Sequence, residues 1–331
     1  MNKTTLAAIA LACATVITTS AILTAGPLSP PAGAVAPTYK TLTEVEPRIA
    51  INAVNTPGDA GSLFIISQPG SYYLTGNITG VAGKHGIVIP TGGVSLDLGG
   101  FVLQGVPGSL SGITTVVFQE DIRVERGTVR NWGGSGVAVF GDNSILRDLI
   151  LTRNGGPGID AGGAFHPRIE GCVAMFNGAV DPRPSIIGGV GSVITGCSVR
   201  GSFGAGISVG AGGRAESCTV VASSAAGILV AIGAVVSDCV VAGNGSNAAL
   251  PADQRAGILV TSSRARVENN TISGSGGPGI RLAVAGNFVT RNALAGNAGG
   301  SISAVAGNWV APIVPAAGAA ANTNGNANLE N

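Results

Sequence analysis

Three short stretches decide the fold: Gly206-Ile-Ser-Val, Gly227-Ile-Leu-Val and Gly257-Ile-Leu-Val. Each is a small residue, then Ile or Val, then any residue, then an aliphatic one. Looser copies of this first phrase begin between 20 and 30 residues apart, at Gly86, Gly112, Gly136, Gly158, Ser185, Gly279 and Ser301. Alternation at every second residue predicts a short strand with one buried face in each copy.

A second phrase follows each first one. It has an aliphatic residue, a small or polar residue three positions later, and another aliphatic two positions after that. Examples are Ile145-Asp148-Ile150, Ile194-Cys197-Val199, Val236-Cys239-Val241 and Val267-Asn270-Ile272. An Asn or Gly turn closes the unit, and both residues tolerate the left-handed backbone angles of sharp corners. The sequence therefore predicts a repeated unit of two or three strands without helices.

Such a unit cannot bury its apolar face alone, but stacked copies can, as they do in a parallel β-helix. From about residue 70 to 310 the two phrases resemble the right-handed parallel β-helix repeat of the pectate-lyase-like superfamily. The predicted fold is all-β, a single-stranded right-handed parallel β-helix (solenoid) of about ten rungs with an N-terminal cap. A β-sandwich is the alternative, and the steady period argues against the hairpins it needs.

The termini differ in composition from the repeat region. Residues 1–34 are predicted to be a signal peptide, with Lys3 before an apolar run and small-residue cleavage sites after it. The alternative is an N-terminal membrane anchor. Residues 35–69 are predicted as linker and cap, with a weak helical pattern from Thr43 to Val54; 70–310 is the β-helix, and 311–331 a low-complexity mobile tail. The predicted location is secreted, periplasmic or cell-surface.

Composition excludes several classes. The 331 residues include 54 Gly, only 11% are charged, and the formal net charge is +1. A disordered chain would be more charged and less apolar. A nucleic-acid binder would show a basic excess, a helical domain would not tolerate so much Gly, and collagen requires Gly at every third position.

Four cysteines occupy one place in the second phrase on consecutive rungs: Cys172, Cys197, Cys218 and Cys239. The same alignment puts Asp148 before them and Asn270 and Asn292 after them. We predict a buried thiol ladder, because Cys packs as a small hydrophobe. Disulfides between neighbouring rungs are the alternative. No metal site is predicted, since a column does not converge on one point.

Charged residues align between rungs in an Arg-x-Glu pattern. Its copies are Arg123/Glu125, Arg168/Glu170, Arg214/Glu216 and Arg266/Glu268, two rungs apart each time. The simpler interpretation is an ion-paired, solvated stripe. The alternative is a face that holds a charged polymer.

Two sets of residues are candidates for function. Asp160, His166 and Arg168 form the candidate catalytic set, with Asp142 and Glu170 nearby, because an acid, an imidazole and a guanidinium suffice for proton abstraction. The candidate binding set lies on the two longest inserts, 177–186 and 243–256, and comprises Asp181, Arg183, Asp253 and Arg255, together with Glu170.

The sequence favours a secreted or surface-associated protein with a structural or carbohydrate-binding role. The alternative is a polysaccharide lyase, hydrolase or epimerase acting on an acidic glycan, as the resemblance implies. The acidic calcium cluster and paired Asp motifs that such enzymes imply are not apparent. No cofactor is predicted, and calcium is expected only for a lyase. The expected partner is a polysaccharide, with no nucleic acid and no membrane span after signal cleavage.

Overall fold

A computed structural model describes residues 46–315 and 324–330, and the compact unit begins at Arg48. Within these residues the fold is all-β except for one 3-10 turn, Ala252–Arg255. The strands pair in parallel and wind in a right-handed coil of about eleven turns. The predicted right-handed parallel β-helix is therefore confirmed. The predicted signal peptide and the first part of the linker lie outside the described residues.

One face of the coil, called sheet 1 below, is built from the first phrase. Every copy forms a strand, including the degenerate one at Ser185, and equivalent residues pair in register from rung to rung. The eleven strands are Ser62–Ile65, His85–Val88, Ile113–Thr114, Val137–Ala138, Ile159–Asp160, Ile186–Ile187, Ile207–Val209, Ile228–Val230, Ile258–Val260, Ile280–Leu282 and Ile302–Ala304.

The other two faces form one 22-stranded parallel sheet, because two long strands, Ile122–Arg130 and Ile145–Thr152, contribute to both. The face that follows sheet 1 is sheet 2. Its other strands are Ile49–Ala50, Gly70–Tyr73, Val94–Asp97, Arg168–Glu170, Val193–Thr195, Arg214–Glu216, Val235–Ser237, Arg266–Glu268, Phe288–Thr290 and Trp309–Val310.

The last face before the chain returns to sheet 1 is sheet 3. Its other strands are Ile78–Thr79, Val102–Gln104, Val173–Met175, Ser198–Arg200, Thr219–Val221, Val240–Ala242, Thr271–Ser273, Ala293–Ala295, Ile313–Pro315 and Asn328–Glu330. A small three-stranded sheet lies between sheets 1 and 2 and consists of Gln119–Glu120, Gly141–Asp142 and Ala164–Phe165.

The coil has one rung more than the ten first phrases predict. Ser62–Ile65 pairs with His85–Val88, and Ile49–Ala50 pairs with the strand Gly70–Tyr73, so paired strands lie inside the segment predicted as linker and cap. The weak helical pattern is wrong for its described part, since Ile49–Ala50 is a strand followed by a turn. In the predicted tail, Ile313–Pro315 and Asn328–Glu330 pair with each other.

The core is a set of aliphatic columns along the coil axis. The first-phrase isoleucines from Ile87 to Ile280 are fully buried, one above another. Each contributes about 1.5–3 kcal/mol by burial.

Trp132 is a large aromatic side chain within this aliphatic core. Its ring fits because Gly80, Gly86 and Gly112 face it. A Cβ on Gly80 or Gly86 would lie 2.9 Å from the indole. Its Nε1 donates to the Leu103 carbonyl at 3.1 Å.

The cysteine column is confirmed with one correction. Cys172, Cys197, Cys218 and Cys239 are buried free thiols that donate to carbonyl oxygens of the preceding rung at 3.5–3.7 Å. Asp148 does not belong to the column. It is exposed and left-handed at φ 54°, and pairing of Ile150 with Val173 puts Leu149 opposite Cys172. The run of aliphatic residues around Asp148 hides this one-residue shift, because inward and outward positions are both apolar.

The thiols should be inert until the chain unfolds. All four side chains are at most 1% exposed, so a reagent cannot reach them in the folded coil, and buried structural thiols do not react as accessible thiolates do. In the full chain with Cys13→Ser, we expect no reaction with Ellman's reagent at pH 8 and four reactive thiols in guanidinium. Fewer than four after unfolding, without reductant, would show disulfides instead.

Asp97 should make the fold sensitive to acid. Burial alone would raise the pKa of this carboxyl, but the Gly99 N–H and the guanidinium groups of Arg126 and Arg48 outweigh burial and lower it. A pKa lowered by folding gives stability that is present above the unfolded value of about 3.9 and is lost as the pH falls through the folded value.

We therefore expect the melting temperature of the wild type to decrease when the pH is lowered below about 4. Asp97→Asn should cost about 3 kcal/mol at neutral pH and should flatten this acid dependence. Equal acid slopes for the two proteins in calorimetric scans would show that Asp97 does not carry the effect.

Candidate functional site: an arginine–phenylalanine cleft

The three candidate catalytic residues lie in three separate pairs. Asp160 projects from sheet 1 and binds Arg183, with 2.9 Å between Oδ2 and Nη1. His166 Nδ1 lies 3.1 Å from Asp142 Oδ1 at the end of the small sheet. Arg168 projects from sheet 2 and lies 3.9 Å from Glu170. Within residues 46–315, no hydrogen bond or ion pair joins Asp160, His166 and Arg168 to one another, and their catalytic role stays a prediction.

Arg183 links the candidate catalytic and binding sets. Besides Asp160, it binds Asp181 of its own loop, with 2.7 Å between Nε and Oδ2. Burial disfavours its charge, but the bonds to Asp181 and Asp160 outweigh this and raise the pKa of Arg183. Asp160 Oδ1 also accepts the Gly162 N–H at 3.2 Å. The cluster is internally paired, so Asp160 is positioned as a structural carboxylate that holds the 177–186 loop against sheet 1.

The second loop is placed differently. Its Asp253 and Arg255 lie on the 3-10 turn, three rungs beyond the first loop along sheet 1. Asp253 is exposed, Arg255 is half-buried, and no ion pair joins the two in the described structure. Ala256, at the end of this loop, packs on Leu259 and Leu229 of sheet 1. The two predicted loops therefore share a corner of the coil but do not form one site.

The Arg-x-Glu stripe runs along sheet 2 on alternate rungs, as predicted. Its pairs Arg123–Glu125 and Arg266–Glu268 lie 3.7 and 3.6 Å apart. Stronger bonds cross the rungs, since Arg147 binds Glu125 at 2.7 Å. The arginines and glutamates of these pairs neutralise one another, which agrees with the simpler interpretation of the stripe, whereas Arg214 and Glu216 form no ion pair in the described structure.

A cleft on sheet 3 has a different character. It has a volume of about 390 Å³ and is lined by Arg153, Phe176, Ala179 and Phe203, with Ala179 supplied by the 177–186 loop. The Phe176 and Phe203 side chains are exposed. The guanidinium carbons of Arg153 and Arg200 lie 5.7 and 5.9 Å from the centre of the Phe176 ring, within the range of a cation–π contact.

Two residues of the cleft have a strained backbone conformation. Arg153 and Phe176 are left-handed, at φ 54° and 55°, in a column that continues with Gly201, Ala222 and Gly243. A non-glycine residue costs about 1 kcal/mol in this conformation. Gly201 is required by the ring above it, because a Cβ there would lie 2.6 Å from the Phe176 ring. Phe176 is thus held on the surface at a position where Gly is favoured.

The two arginines of the cleft are available to a ligand. Among the described residues, neither Arg153 nor Arg200 has an ion pair or a side-chain hydrogen bond, and both are exposed. Two free guanidinium groups beside an exposed ring can hold carboxylates and an apolar sugar face at once. The candidate binding site is the Arg153–Phe176 cleft, lined by Arg153, Phe176, Ala179 and Phe203, together with Arg200 beside the Phe176 ring.

A metal site and a membrane-spanning helix each have requirements that the described residues do not meet. There, no three or more His, Cys, Asp or Glu side chains are grouped to hold a metal ion. In the same part of the chain, no helix has the length and apolarity to cross a membrane.

Sequence reasoning missed the cleft, although a signal was present. The closing turns read Gly243-Asn244 and Gly296-Asn297 in the regular copies, but Arg153-Asn154 and Phe176-Asn177 in two earlier ones. Replacement of Gly by a large side chain at an exposed corner marks a position kept for something other than the turn. The aromatic composition is a second signal, because most of the eight Phe residues are exposed.

Comparison with known proteins agrees with the fold. A family model described as "Right handed beta helix region" matches residues 111–258. This match confirms the predicted right-handed parallel β-helix repeat. No curated protein matches the sequence.

The solved structures that are similar to the chain include an epimerase module and a tailspike protein. The Azotobacter vinelandii mannuronan C-5 epimerase AlgE4 A-module is 18% identical with a TM-score of 0.53, over 80% of this chain and 88% of that one. The Dettilon tailspike protein is 16% identical with a TM-score of 0.58, over 82% of this chain and 60% of that one. At these identities the likeness shows the β-helix fold alone.

Proposed function

We propose that this protein is an exported carbohydrate-binding β-helix, and that the Arg153–Phe176 cleft binds an acidic polysaccharide. The proposal rests on one observation: the guanidinium groups of Arg153 and Arg200 lie beside the exposed Phe176 ring, and neither has an ion-pair partner among the described residues. Free cations select for an anionic ligand, and the ring selects for a flat apolar surface such as one face of a sugar. Export is proposed from the N-terminal sequence pattern.

The direction of the cleft supports a polymer rather than a small anion. Arg153, Phe176 and Phe203 come from three consecutive rungs, spaced about 4.8 Å apart. That spacing is close to the length of one hexose in an extended chain. Sugars over the first and third of these rungs can therefore bring their carboxylates to Arg153 and Arg200, and the sugar between them meets the Phe176 ring.

The test is retention on immobilised polymannuronate, polygalacturonate and a neutral glucan. Mannuronan heads the panel because a protein of the same fold is named for acting on it. We expect retention on at least one acidic polymer, none on the glucan, and weakening with salt because the contacts are ionic. Equal behaviour on acidic and neutral polymers would contradict the proposal.

Phe176→Gly separates binding from folding. Gly relieves the left-handed strain, which offsets part of the burial lost with a ring that is 37% exposed, so unfolding free energy should change by about 1 kcal/mol. Loss of the ring should weaken retention on the acidic polymer about tenfold. Ala222→Gly, in the same column outside the cleft, is the control and should leave retention unchanged.

A second candidate function is an enzyme of acidic glycans, favoured by the contact between His166 and Asp142. The His166 side chain is 65% exposed, and its Nδ1 lies 3.1 Å from the carboxylate, which leaves Nε2 to take a proton from a substrate. The test follows ultraviolet absorbance of unsaturated products and new reducing ends, with and without calcium. A signal abolished by His166→Ala would establish catalysis, and a flat trace with every acidic polymer that the protein retains would exclude it for them.

A further inference from the structure

A second aromatic surface lies on sheet 2 near the last rungs, away from the Arg153–Phe176 cleft. Phe288 and Trp309 are paired neighbours on consecutive rungs, each 49% exposed. Their ring centres are 5.8 Å apart and their planes are inclined at 42°. With Arg266, Glu268, Arg291 and Asn326 they line a cleft of about 240 Å³. We call these six residues the Trp309 shelf.

The shelf interrupts a regular pattern. The outward column of sheet 2 alternates Arg with aliphatic residues: Arg123, Ile145, Arg168, Val193, Arg214, Val235 and Arg266. The next two positions are Phe288 and Trp309. Trp309 stands where the alternation predicts an arginine. An aromatic residue, Trp309, thus stands at a position that is solvated and cationic on earlier rungs. Its ring and that of Phe288 remain half-exposed instead of packing into the core.

The polar rim of the shelf holds two arginines around one carboxylate, so its cations are paired rather than free. Glu268 accepts a hydrogen bond from Arg291 Nη2 at 2.8 Å, and Arg266 lies 3.6 Å from its other oxygen. Arg291 Nε donates to Asn269 Oδ1 at 2.8 Å. A clamped carboxylate offers acceptor lone pairs, and the guanidinium groups keep spare N–H donors. This arrangement suits adjacent hydroxyl groups, which both donate and accept, better than a free carboxylate.

From these two features we propose that the Trp309 shelf binds a neutral sugar residue. The rings stack on the apolar face of a pyranose, and the Glu268–arginine cluster binds its hydroxyl groups. The ligand class differs from that of the Arg153–Phe176 cleft because the shelf arginines are already paired with a carboxylate. The inference is independent of the proposed acidic-glycan function.

The chain offers a direct optical test. It has two tryptophans, and Trp132 is fully buried while Trp309 is half-exposed, so a sugar on the shelf changes the emission of Trp309 alone. The full chain is titrated with neutral hexasaccharides of glucose, mannose and galactose. At least one should give a saturable change in emission. Trp309→Phe should abolish that change, and Trp132→Phe should retain it.

Three variants make the test specific. Phe288→Ala should weaken the affinity about tenfold while the Trp309 signal persists. Phe118→Ala, an exposed ring on a distant rung, should not change it. The double variant Arg153→Ala/Arg200→Ala should also keep neutral-sugar binding, which separates this inference from the acidic-glycan proposal.

Four results would overturn the inference. The first is no change with any neutral hexasaccharide at millimolar concentration. The second is a change that survives Trp309→Phe, and the third is binding lost in the double arginine variant. A change produced only by oligomannuronate would reject the neutral class.

Discussion

Replacing Arg153 and Arg200 together with alanine should weaken binding to the acidic polymer about 100-fold. Each guanidinium is expected to make charge-assisted hydrogen bonds worth about 1.5 kcal/mol, the lower end of the usual range because the site is exposed, and the loss of both, about 3 kcal/mol, corresponds to about two orders of magnitude in Kd. The fold should survive, because Ala222 already occupies the left-handed position equivalent to Arg153. Circular dichroism and the melting temperature should therefore match those of the wild type, and Kd is measured by calorimetry.

The control for this variant is Arg214→Ala/Arg264→Ala. Both arginines are exposed and lack an ion pair within the described residues, and Arg264 is left-handed at φ 64°. The control removes the same two charges outside the cleft. If both double variants bind equally weakly, long-range attraction to net charge explains the affinity and the cleft does not.

The second large effect is on stability, at the end of the cysteine column where asparagines take over. Asn292 is fully buried, and its Oδ1 accepts both the Asn270 N–H and the Asn270 amide, each at 3.0 Å. Its own amide donates to Val267 and Asn328. Asn292→Ala leaves a buried backbone N–H unpaired, which costs about 3 kcal/mol with the other lost bonds. We expect the melting temperature to fall by about 6 °C.

Cys218→Ala is the matched variant in the same column. Its thiol makes only weak hydrogen bonds to carbonyl groups at 3.3 Å or more, so the variant should cost about 1 kcal/mol. Because stacked rungs stabilise mainly their neighbours, hydrogen exchange in the Asn292 variant should increase first at the C-terminal rungs. Equal losses for the two variants would show that the asparagine bonds add nothing beyond packing.

Much of the fold follows from the sequence because the repeat carries its own register. Each first-phrase Ile faces the core, and a shift by one residue would expose it, so the pattern specifies sheet 1. The second phrase is less informative around Asp148, where inward Leu149 and outward Ile150 are both aliphatic. The position of Trp132 depends on glycines of other rungs. The local repeat pattern around Trp132 does not show which glycines will face its ring.

The candidate site was less predictable than the fold. The charged residues Asp160, His166 and Arg168 stand out in the sequence, but a charged side chain on a coil is usually paired with a neighbour from another rung. Arg183 forms an ion pair of this kind with Asp160, although 23 residues separate them along the chain. Arg153 and Arg200 have no ion-pair partner among the described residues and lie beside an exposed ring, and both features become visible only in the folded coil.

The central claim is that an acidic glycan lies in the Arg153–Phe176 cleft. A crystal structure of the protein with an acidic hexasaccharide, of the polymer that binds best, tests it most directly. We predict a sugar ring on Phe176 with uronate carboxylates within hydrogen-bond distance of Arg153 and Arg200. A glycan bound instead along sheet 1 beside Asp160 and His166 would contradict the account and place the site where the catalytic alternative puts it.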